Sequence, residues 1–386
     1  MLARCGVALR PLFPHTAIDI PVSLTERSFA VSTPIPFPSA SRLIASVPGI
    51  IGFLPQRSLI LILIPATTDP GHDEPAALPH FDLTEDPASI TDRLAPLLTT
   101  LGPAIGYVLV IDDRLHPPHH DPTTTTTGQI RHHRLVEHVV RALTDSSVRW
   151  QGSFATTAIV AGGVWWSLSG PADSGTLPDP AHSPFARERA ALGVPVLASR
   201  TALADSLATD PALAEQVSAA LPQALADVHG RRAGIAHAEA ISDQDRRDLE
   251  AVLYAIADHA AGEEFTAGRL ARLGAALGIP AVERCLPATA AGAHAVAAEG
   301  LWVLLTRSLT GPHRAHPAVL LARSAHLRGD GVLARIAVTT ALEADPADLY
   351  ARLLYAVIER GLPPRALNRL TRSATTAAAD LGITIG

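Results

Sequence analysis

The most apolar stretch of the chain spans residues 43–64 and reads LIASVPGIIGFLPQRSLILILI. A membrane-spanning helix needs about 20 consecutive apolar residues, so the length alone would allow one. Pro55 and Arg57 argue against it, because a helix break and a charge near the middle of a bilayer are both costly. The pattern instead predicts a short helix over residues 41–51 and a strand over residues 58–64. A strand of Leu and Ile without polar alternation is typical of a sheet that helices cover on both faces.

Helical and strand-like patterns continue to alternate beyond this point. Leucines at helical spacing predict a helix over 86–101, and AIGYVLVIDD at 104–113 predicts a second buried strand that ends in two aspartates. A helix over 130–143 and strands around a glycine turn at 162–163 follow. This order predicts an α/β domain over residues 39–202, with a mixed, largely parallel sheet and flanking helices.

The two ends of the chain have different patterns. Residues 1–38 contain six prolines and no sustained period, which predicts a poorly ordered lead-in. Residues 203–386 are helical in pattern almost throughout and predict an all-α domain.

Within the helical part, residues 316–346 resemble one tetratricopeptide unit, which is a helix–turn–helix repeat. The likeness includes a glycine in the turn, two small residues where the helices meet and a closing proline: Gly329, Ala334, Ala341 and Pro346. A solenoid needs about three such units, and no second unit is recognisable. An ordinary helical hairpin is therefore the alternative interpretation.

The chain contains no lysine, and all 31 of its basic residues are arginine. A Walker-type phosphate loop and Schiff-base chemistry both need a lysine amine, so these classes are excluded. The formal net charge of -6 gives no reason to expect nucleic-acid binding, and no cluster of basic residues predicts binding to a membrane surface. The two isolated cysteines predict neither a disulfide framework nor a zinc site. We therefore expect a cytoplasmic protein without a cofactor.

Several short motifs together resemble an actinobacterial family built on a domain of unknown function, number 4192 among such domains. The first part of the resemblance lies around the apolar stretch, at Pro48, Gly52, Phe53, Pro55 and Ser58. Further matches lie later in the chain, at 165–167, 177–184, 199–200 and 329–346. The resemblance covers most of the chain beyond residue 32. It implies an α/β front half and a helical rear half, and it implies no activity.

Two departures from the family's pattern bear on candidate sites. Many members carry closely spaced cysteines after the tryptophan pair, whereas this chain has LSGPADSG there, so a metal site is not supported. Members also have a second strand soon after the first, ending in Asp-Leu-Pro. The segment around Asp82 and Leu83 keeps only a trace of that ending, which predicts that this strand is missing or shortened.

Five residues are candidates for binding a ligand: Arg57, Asp112, His116, Trp166 and Arg200. Asp112 ends the second predicted strand, and ligands of open α/β sheets bind beyond the carboxyl ends of strands. Arg57 and Arg200 suit an anion or a carboxylate. Adjacent tryptophans on a strand face opposite sides of the sheet, so one can join the core while Trp166 meets a ligand or partner. Each of these residues also has a structural interpretation, as a cap, an ion pair or a packed side chain.

His116 belongs to a histidine-rich segment that also contains His119, His120, His132, His133 and His138. Histidines and nearby aspartates are ligands for divalent metals. The spacing has no pair of histidines at i and i+4 around a glutamate, and prolines and threonines interrupt it. A solvated loop is the interpretation that the pattern favours, and metal binding is the alternative.

These patterns contain no recognised catalytic motif. We hypothesise an interaction or regulatory module, rather than an enzyme, that binds a protein partner through its helical domain. The alternative is an enzyme, or a module responsive to nucleotides or metals, whose site lies at the strand ends near Asp112. The alternative requires a deep pocket at the strand ends, which the first hypothesis does not.

Overall fold

Residues 43–64 form a helix and a strand, as their pattern predicts. The computed structural model describes residues 39–66, 78–117, 127–169, 172–235, 237–292, 294–362 and 364–385, and the predicted lead-in of residues 1–38 lies outside them. Helix α1 (Ala40–Ile51) begins after Ser39, whose hydroxyl oxygen accepts a hydrogen bond from the Arg42 backbone N–H. Strand β1 (Ser58–Pro65) follows. None of the described helices has both the length and the apolar content that crossing a membrane requires.

Strand β1 is the second strand of a six-stranded sheet with the order β2-β1-β3-β4-β5-β6. The other strands are β2 (His80–Asp82), β3 (Ala104–Ile111), β4 (Val148–Thr156), β5 (Val164–Ser169) and β6 (Ser174–Thr176). The expected fold class, a mixed sheet with flanking helices followed by a helical region, is confirmed. The sheet is nevertheless mostly antiparallel, since β3 and β4 are the one parallel pair among its described strands.

The order of the elements along the chain explains why most strand pairs are antiparallel, although a largely parallel sheet was expected. Helix α2 (Pro87–Leu101) connects β2 to β3, and helix α3 (Thr127–Thr144) connects β3 to β4. Strands β2 and β3 run in the same direction, as strands joined by a helix should. However, β1 lies between them and is antiparallel to both. The chain reverses direction between β1 and the short strand β2, which the sequence shows only as a trace, before α2 leads to β3. For this reason β1 and β3 pair antiparallel rather than parallel.

Both faces of β1 are covered. Ile60, Ile62 and Ile64 pack on one face against α1, and Leu59, Leu61 and Leu63 pack on the other face with residues of α2 and α3. All six side chains are at most 1% exposed. The absence of polar alternation in this strand follows from its two apolar surroundings.

The chain beyond the sheet is helical, as predicted. Its helices are α4 (Pro184–Ala191), α5 (Arg200–Asp205), α6 (Pro211–Ala233), α7 (Ala238–Ala260), α8 (Ala267–Leu277), α9 (Pro280–Cys285), α10 (Ala295–Ser308), α11 (Pro312–Leu327), α12 (Gly331–Ala344), α13 (Leu349–Glu359) and α14 (Asn368–Asp380). One apolar core contains the α1 side of the sheet and residues from most of these helices. The boundary between two domains at residue 203 stays a prediction.

Helices α11 and α12 form the predicted hairpin. Gly329 makes the turn with φ +83, and the Asp330 carboxylate caps α12 by accepting the Leu333 backbone N–H at 3.0 Å. Ala334 and Ala341 are fully buried where the helices meet, which allows their close approach. Pro346 is exposed and follows the end of α12. The finer resemblance to a tetratricopeptide unit stays a prediction.

Candidate functional site

A cleft of about 1440 Å³ lies between one end of the sheet and the helical hairpin, and we call it the sheet–hairpin cleft. On the sheet side, its wall contains Ser58, His80 and Arg200. On the hairpin side, its wall contains His326, Asp330 and Glu359. Residues from the two halves of the chain thus face the same space.

The motif around Gly52 and Phe53 shapes the sheet side of this cleft. Gly52 ends α1 in the left-handed conformation with φ +83, and its N–H donates to the Pro48 carbonyl oxygen at 2.9 Å. Phe53 is buried, forms a short parallel bridge with Leu197 and meets the His80 ring edge-on at a centroid distance of 5.5 Å. Pro55 is buried as well. These motif residues therefore place His80 and the segment that leads to Arg200.

Arg57 stands at the sheet end of the cleft in a left-handed backbone conformation with φ +46. Its guanidinium forms a two-pronged ion pair with Asp113, from Nε to Oδ1 at 2.9 Å and from Nη2 to Oδ2 at 3.2 Å. The hydrogen bond from Arg57 to Asp113 and the attraction between their charges raise the pKa of Arg57. The same hydrogen bond and attraction lower the pKa of Asp113. Both side chains are more than half exposed, so the pair contributes little to stability. An incoming anion would compete with Asp113 for Arg57.

His80 on β2 forms a side-chain pair with Ser58, whose Oγ lies 2.8 Å from His80 Nε2. The Ser58 hydroxyl also donates to the Gln56 carbonyl oxygen at 2.7 Å. Burial, and then the charge of Arg200, lower the pKa of His80 to about 4, so the ring is neutral at pH 7. Ser58 is only 1% exposed, and its hydroxyl is engaged on both sides. The pair therefore joins β1 to β2 and does not present a nucleophile to the cleft.

Arg200 is the first residue of α5, after Ser199, whose hydroxyl oxygen accepts the Ala202 backbone N–H at 3.0 Å. The cleft wall holds five other arginines, each paired with a carboxylate or with backbone carbonyl oxygens: Arg57, Arg93, Arg314, Arg328 and Arg335. Arg200 is exposed, and within the described residues it has no ion pair or hydrogen bond from its side chain. Among the described arginines of the wall, Arg200 is therefore the one whose guanidinium is free to bind an outside partner.

Asp112 lies at the end of β3, where its sequence position places it, but its carboxylate is already occupied. The Arg114 side chain donates to both of its oxygens at 2.8 Å, and His132 Nε2 lies 2.9 Å from Oδ2. Burial alone would raise the pKa of Asp112, but the Arg114 and His132 contacts outweigh it and the pKa is lowered. The space beside Arg114 and His132 is about 10 Å³, which is room for about one water. The geometry does not favour a ligand at Asp112.

His116 and Trp166 are not part of the cleft wall. His116 is exposed after β3, and His119 and His120 lie outside the described residues. The described part of the chain holds no group of three or more His, Cys, Asp or Glu residues arranged to hold a metal. The two tryptophans face opposite sides, as expected, but both are buried: Trp165 donates to Ser41 Oγ at 2.8 Å, and Trp166 packs in the core beneath α2 and α3. Trp166 therefore presents no surface to a ligand.

A buried ionic cluster that borders the cleft has no counterpart among the sequence predictions. Arg189 Nη1 lies 3.4 Å from Asp330 Oδ2, and Arg328 lies 2.8 Å from Glu299 Oε2 and 3.6 Å from Asp330 Oδ2. Burial raises the pKa of Glu299 to about 6, although Arg328 opposes this, and burial also raises the pKa of Asp330. The sequence pattern gave no sign of this cluster around the turn, because Arg189 and Glu299 lie on helices that are distant from Asp330 in sequence.

Comparison with known proteins gives one match to a family. The model of a family described as "Domain of unknown function (DUF4192)" matches residues 41–365. No curated protein and no solved structure matches the chain. The matched span includes the sheet, the cleft and the hairpin, which is well over half of the chain. The chain therefore belongs to the DUF4192 family.

Proposed function

We propose that the chain is an interaction or regulatory module that binds an anionic ligand in the sheet–hairpin cleft. The observation that carries this proposal is Arg200, whose side chain stands in the cleft wall and forms no ion pair or hydrogen bond with the described residues. A guanidinium offers a planar fork of donors that matches a carboxylate or a phosphate. The sequence placed the candidate site at Asp112, but the oxygens of Asp112 are paired with Arg114 and His132. We therefore place the ligand site in the cleft instead.

The position of the cleft supports a regulatory role. Its walls come from the sheet and from the α11–α12 hairpin, so a ligand would contact both at once. A ligand that binds only this arrangement stabilises it by mass action and shifts the population toward it. Ser58 is buried and its hydroxyl is engaged, so this serine does not offer a nucleophile to a ligand in the cleft. We also propose that the protein acts in the cytoplasm and that it comes from an actinobacterium, as the family resemblance implies.

A thermal-unfolding screen tests the proposal. The panel contains nucleotides, dicarboxylates and inorganic phosphate, and a ligand at 100 times its Kd should stabilise the protein by about 2.7 kcal/mol. Arg200→Ala should abolish the stabilisation, whereas Arg272→Ala, which removes an exposed arginine of α8, should retain it. If every panel member leaves the wild type unchanged, or if Arg200→Ala responds as the wild type does, the proposal is wrong.

A second candidate function, binding of a protein partner, is favoured by the outer face of α13. Leu349, Tyr350 and Leu353 are 64%, 56% and 56% exposed there. Large apolar side chains grouped on an exposed helix often mark an interaction surface. A partner recovered from the native host should then be lost with Leu353→Arg and kept with Leu370→Arg, which changes an equally exposed leucine of α14. A partner that binds both variants equally does not use this face.

A further inference from the structure

The hydrogen bonds of Ser58 determine which nitrogen of the His80 ring carries the proton. Ser58 has one hydroxyl proton, and it donates this proton to the Gln56 carbonyl oxygen at 2.7 Å. The 2.8 Å hydrogen bond between Ser58 Oγ and His80 Nε2 must therefore use a proton on Nε2. A neutral imidazole has only one ring N–H, so Nδ1 keeps a lone pair and can act only as an acceptor.

His80 Nδ1 is open to a ligand in the sheet–hairpin cleft. It has no hydrogen-bond partner among the described residues, and it is not one of their buried unpartnered nitrogens. Because His80 belongs to the cleft wall, a ligand in the cleft can reach this nitrogen. The ring is held by Ser58 and by Phe53, which meets it edge-on at a centroid distance of 5.5 Å. The acceptor is thus accessible and fixed in place.

The charge state of His80 suits it to recognition. Burial, and then the charge of Arg200, lower the pKa of His80 to about 4, so the ring is neutral and weakly basic at pH 7. A general base works best when its pKa lies near the working pH. Nδ1 is therefore suited to accepting a hydrogen bond from a ligand, and not to removing a proton from it.

Arg200 stands on the same side of the cleft, and its charge reaches the His80 ring. An anion held by Arg200 would therefore lie near an acceptor that has no charge of its own. A carboxylate in this position would repel the anion, and Asp113 of the wall is already paired with Arg57. The neutral imidazole can accept a hydrogen bond from the anion without this repulsion.

We propose that Arg200 and His80 Nδ1 together select an anion that carries its own hydroxyl group. Arg200 binds the anionic oxygens, and Nδ1 accepts a hydrogen bond from the hydroxyl. Inorganic phosphate has this chemistry, because it keeps a P–OH group at pH 7, and so does a hydroxycarboxylate such as malate. Sulfate and succinate lack the hydroxyl and would place an oxygen lone pair against the lone pair of Nδ1. This proposal rests on the cleft being the anion site proposed above, and it names the ligand class of that site.

Two matched pairs of probes test the proposal by calorimetric titration of the full chain at pH 7. The pairs are inorganic phosphate with sulfate, and malate with succinate. In at least one pair the wild type should bind the hydroxyl-bearing member about tenfold more tightly or better, because the other member leaves the acceptor unmatched. The pair that shows this preference identifies the ligand as a phosphate or as a hydroxycarboxylate. Equal affinities within both pairs overturn the proposal.

His80→Phe keeps an aromatic ring and removes Nδ1, so it should bind the hydroxyl-bearing anion about tenfold more weakly and lose the preference. His229→Phe, the exposed control on α6, should bind as the wild type does. Should His80→Phe fail to fold, Ser58→Ala serves as the second variant. It removes the acceptor of Nε2, so the ring proton can move to Nδ1, and sulfate or succinate should bind more tightly than to the wild type. A variant that is only less stable would not gain affinity in this way.

The two proposals fail in different ways. Anions that bind the wild type without preference, or a preference that survives His80→Phe, overturn the selection by His80. If Arg200→Ala still abolishes binding, the proposed function stands. No binding of any anion to the wild type overturns both. Nitrogen NMR of the His80 ring at pH 7 checks the tautomer directly, and a proton on Nδ1 would overturn the role of His80 whichever anion binds.

Discussion

The guanidinium of Arg189 fills the space where a side chain at Gly52 would begin. An ideal Cβ at Gly52 would lie 2.5 Å from Arg189 Nη2, and the other end of the guanidinium reaches Asp330 of the hairpin turn. A motif glycine of the front half is thereby joined through one arginine to a motif aspartate of the rear half. Glycine is therefore required at the turn after α1 for two reasons. Its φ of +83 is left-handed, and the Arg189 guanidinium leaves no space for a Cβ.

Gly52→Ala should lower the free energy of unfolding by about 2–4 kcal/mol, which combines backbone strain of about 1–2 kcal/mol with displacement of the buried guanidinium. Equilibrium unfolding in urea measures the change. The matched control is Gly193→Ala, because Gly193 also has a positive φ of +71 but has open space around its Cβ position. A loss at Gly52 no larger than the loss at Gly193 would show that Arg189 simply moves aside.

Asp330→Ala should destabilise the chain by about 2–4 kcal/mol, since it removes a helix cap of about 1 kcal/mol and leaves two arginines without their shared buried carboxylate. Asp348→Ala is the matched control, because Asp348 caps α13 through the Ala351 N–H at 2.8 Å and has no arginine partner among the described residues. The free energy of unfolding of Asp348→Ala should fall by only about 1 kcal/mol. Asp330→Asn should cost less than Asp330→Ala, because burial raises the pKa of Asp330 and thus opposes its charge. Equal losses for the two aspartate-to-alanine variants would contradict the role of the ionic cluster.

Local pattern was enough to predict the longer strands of the sheet and the helices between them, but not the short edge strand β6. The apolar run of β1, the helical spacing in α2 and α3 and the hairpin around Gly329 all follow from periodicity and turn chemistry. The direction of pairing was not predictable in the same way. It depends on β2, a three-residue strand whose His-Phe-Asp sequence has no distinctive pattern.

The candidate site was predictable only in part, because its residues meet through tertiary packing. Arg57 and Arg200 were singled out by charge and motif, and both line the cleft. Asp112 was singled out by its position at a strand end, but sequence could not show that Arg114 and His132 would fill its oxygens. His326 of the cleft wall was not singled out, since a histidine in a helical pattern gives no sign of whether it will be buried.

Glu299 should give the stability of the chain a definite pH dependence. Its pKa is about 6 in the folded chain against an ordinary value of 4.5, so the folded state binds more protons between these values. The stability that Glu299 confers therefore falls as pH rises from 4.5 to about 6, by up to about 2 kcal/mol. Glu299→Gln should become more stable relative to the wild type across this window, as urea unfolding at pH 4.5, 5.5 and 6.5 would show. Glu250→Gln, on the surface of α7, controls for the loss of a glutamate charge. A constant difference between Glu299→Gln and the wild type would contradict the burial of a charged Glu299.

His80 changes stability with pH in the opposite direction, mainly because it is buried and secondly because Arg200 is charged. The pKa of His80 is about 4 in the folded chain against an ordinary 6.5, so the unfolded state binds more protons between these values. Its contribution to stability is complete above pH 6.5 and is lost as pH falls toward 4. Arg200→Ala should raise the pKa of His80, because the charge of Arg200 is the second cause of its low value, but burial should still hold it below 6.5.

Proton NMR of selectively labelled histidine measures this titration, with His80→Gln assigning the resonance and Arg272→Ala as the control. The same experiment reports on the proposed function, because an anion bound at Arg200 would offset its charge and move the titration of His80 upward as the substitution does. If Arg200→Ala leaves the titration unmoved, the charge of Arg200 does not reach His80 on the sheet side of the cleft, and the proposed site for the anion is then wrong.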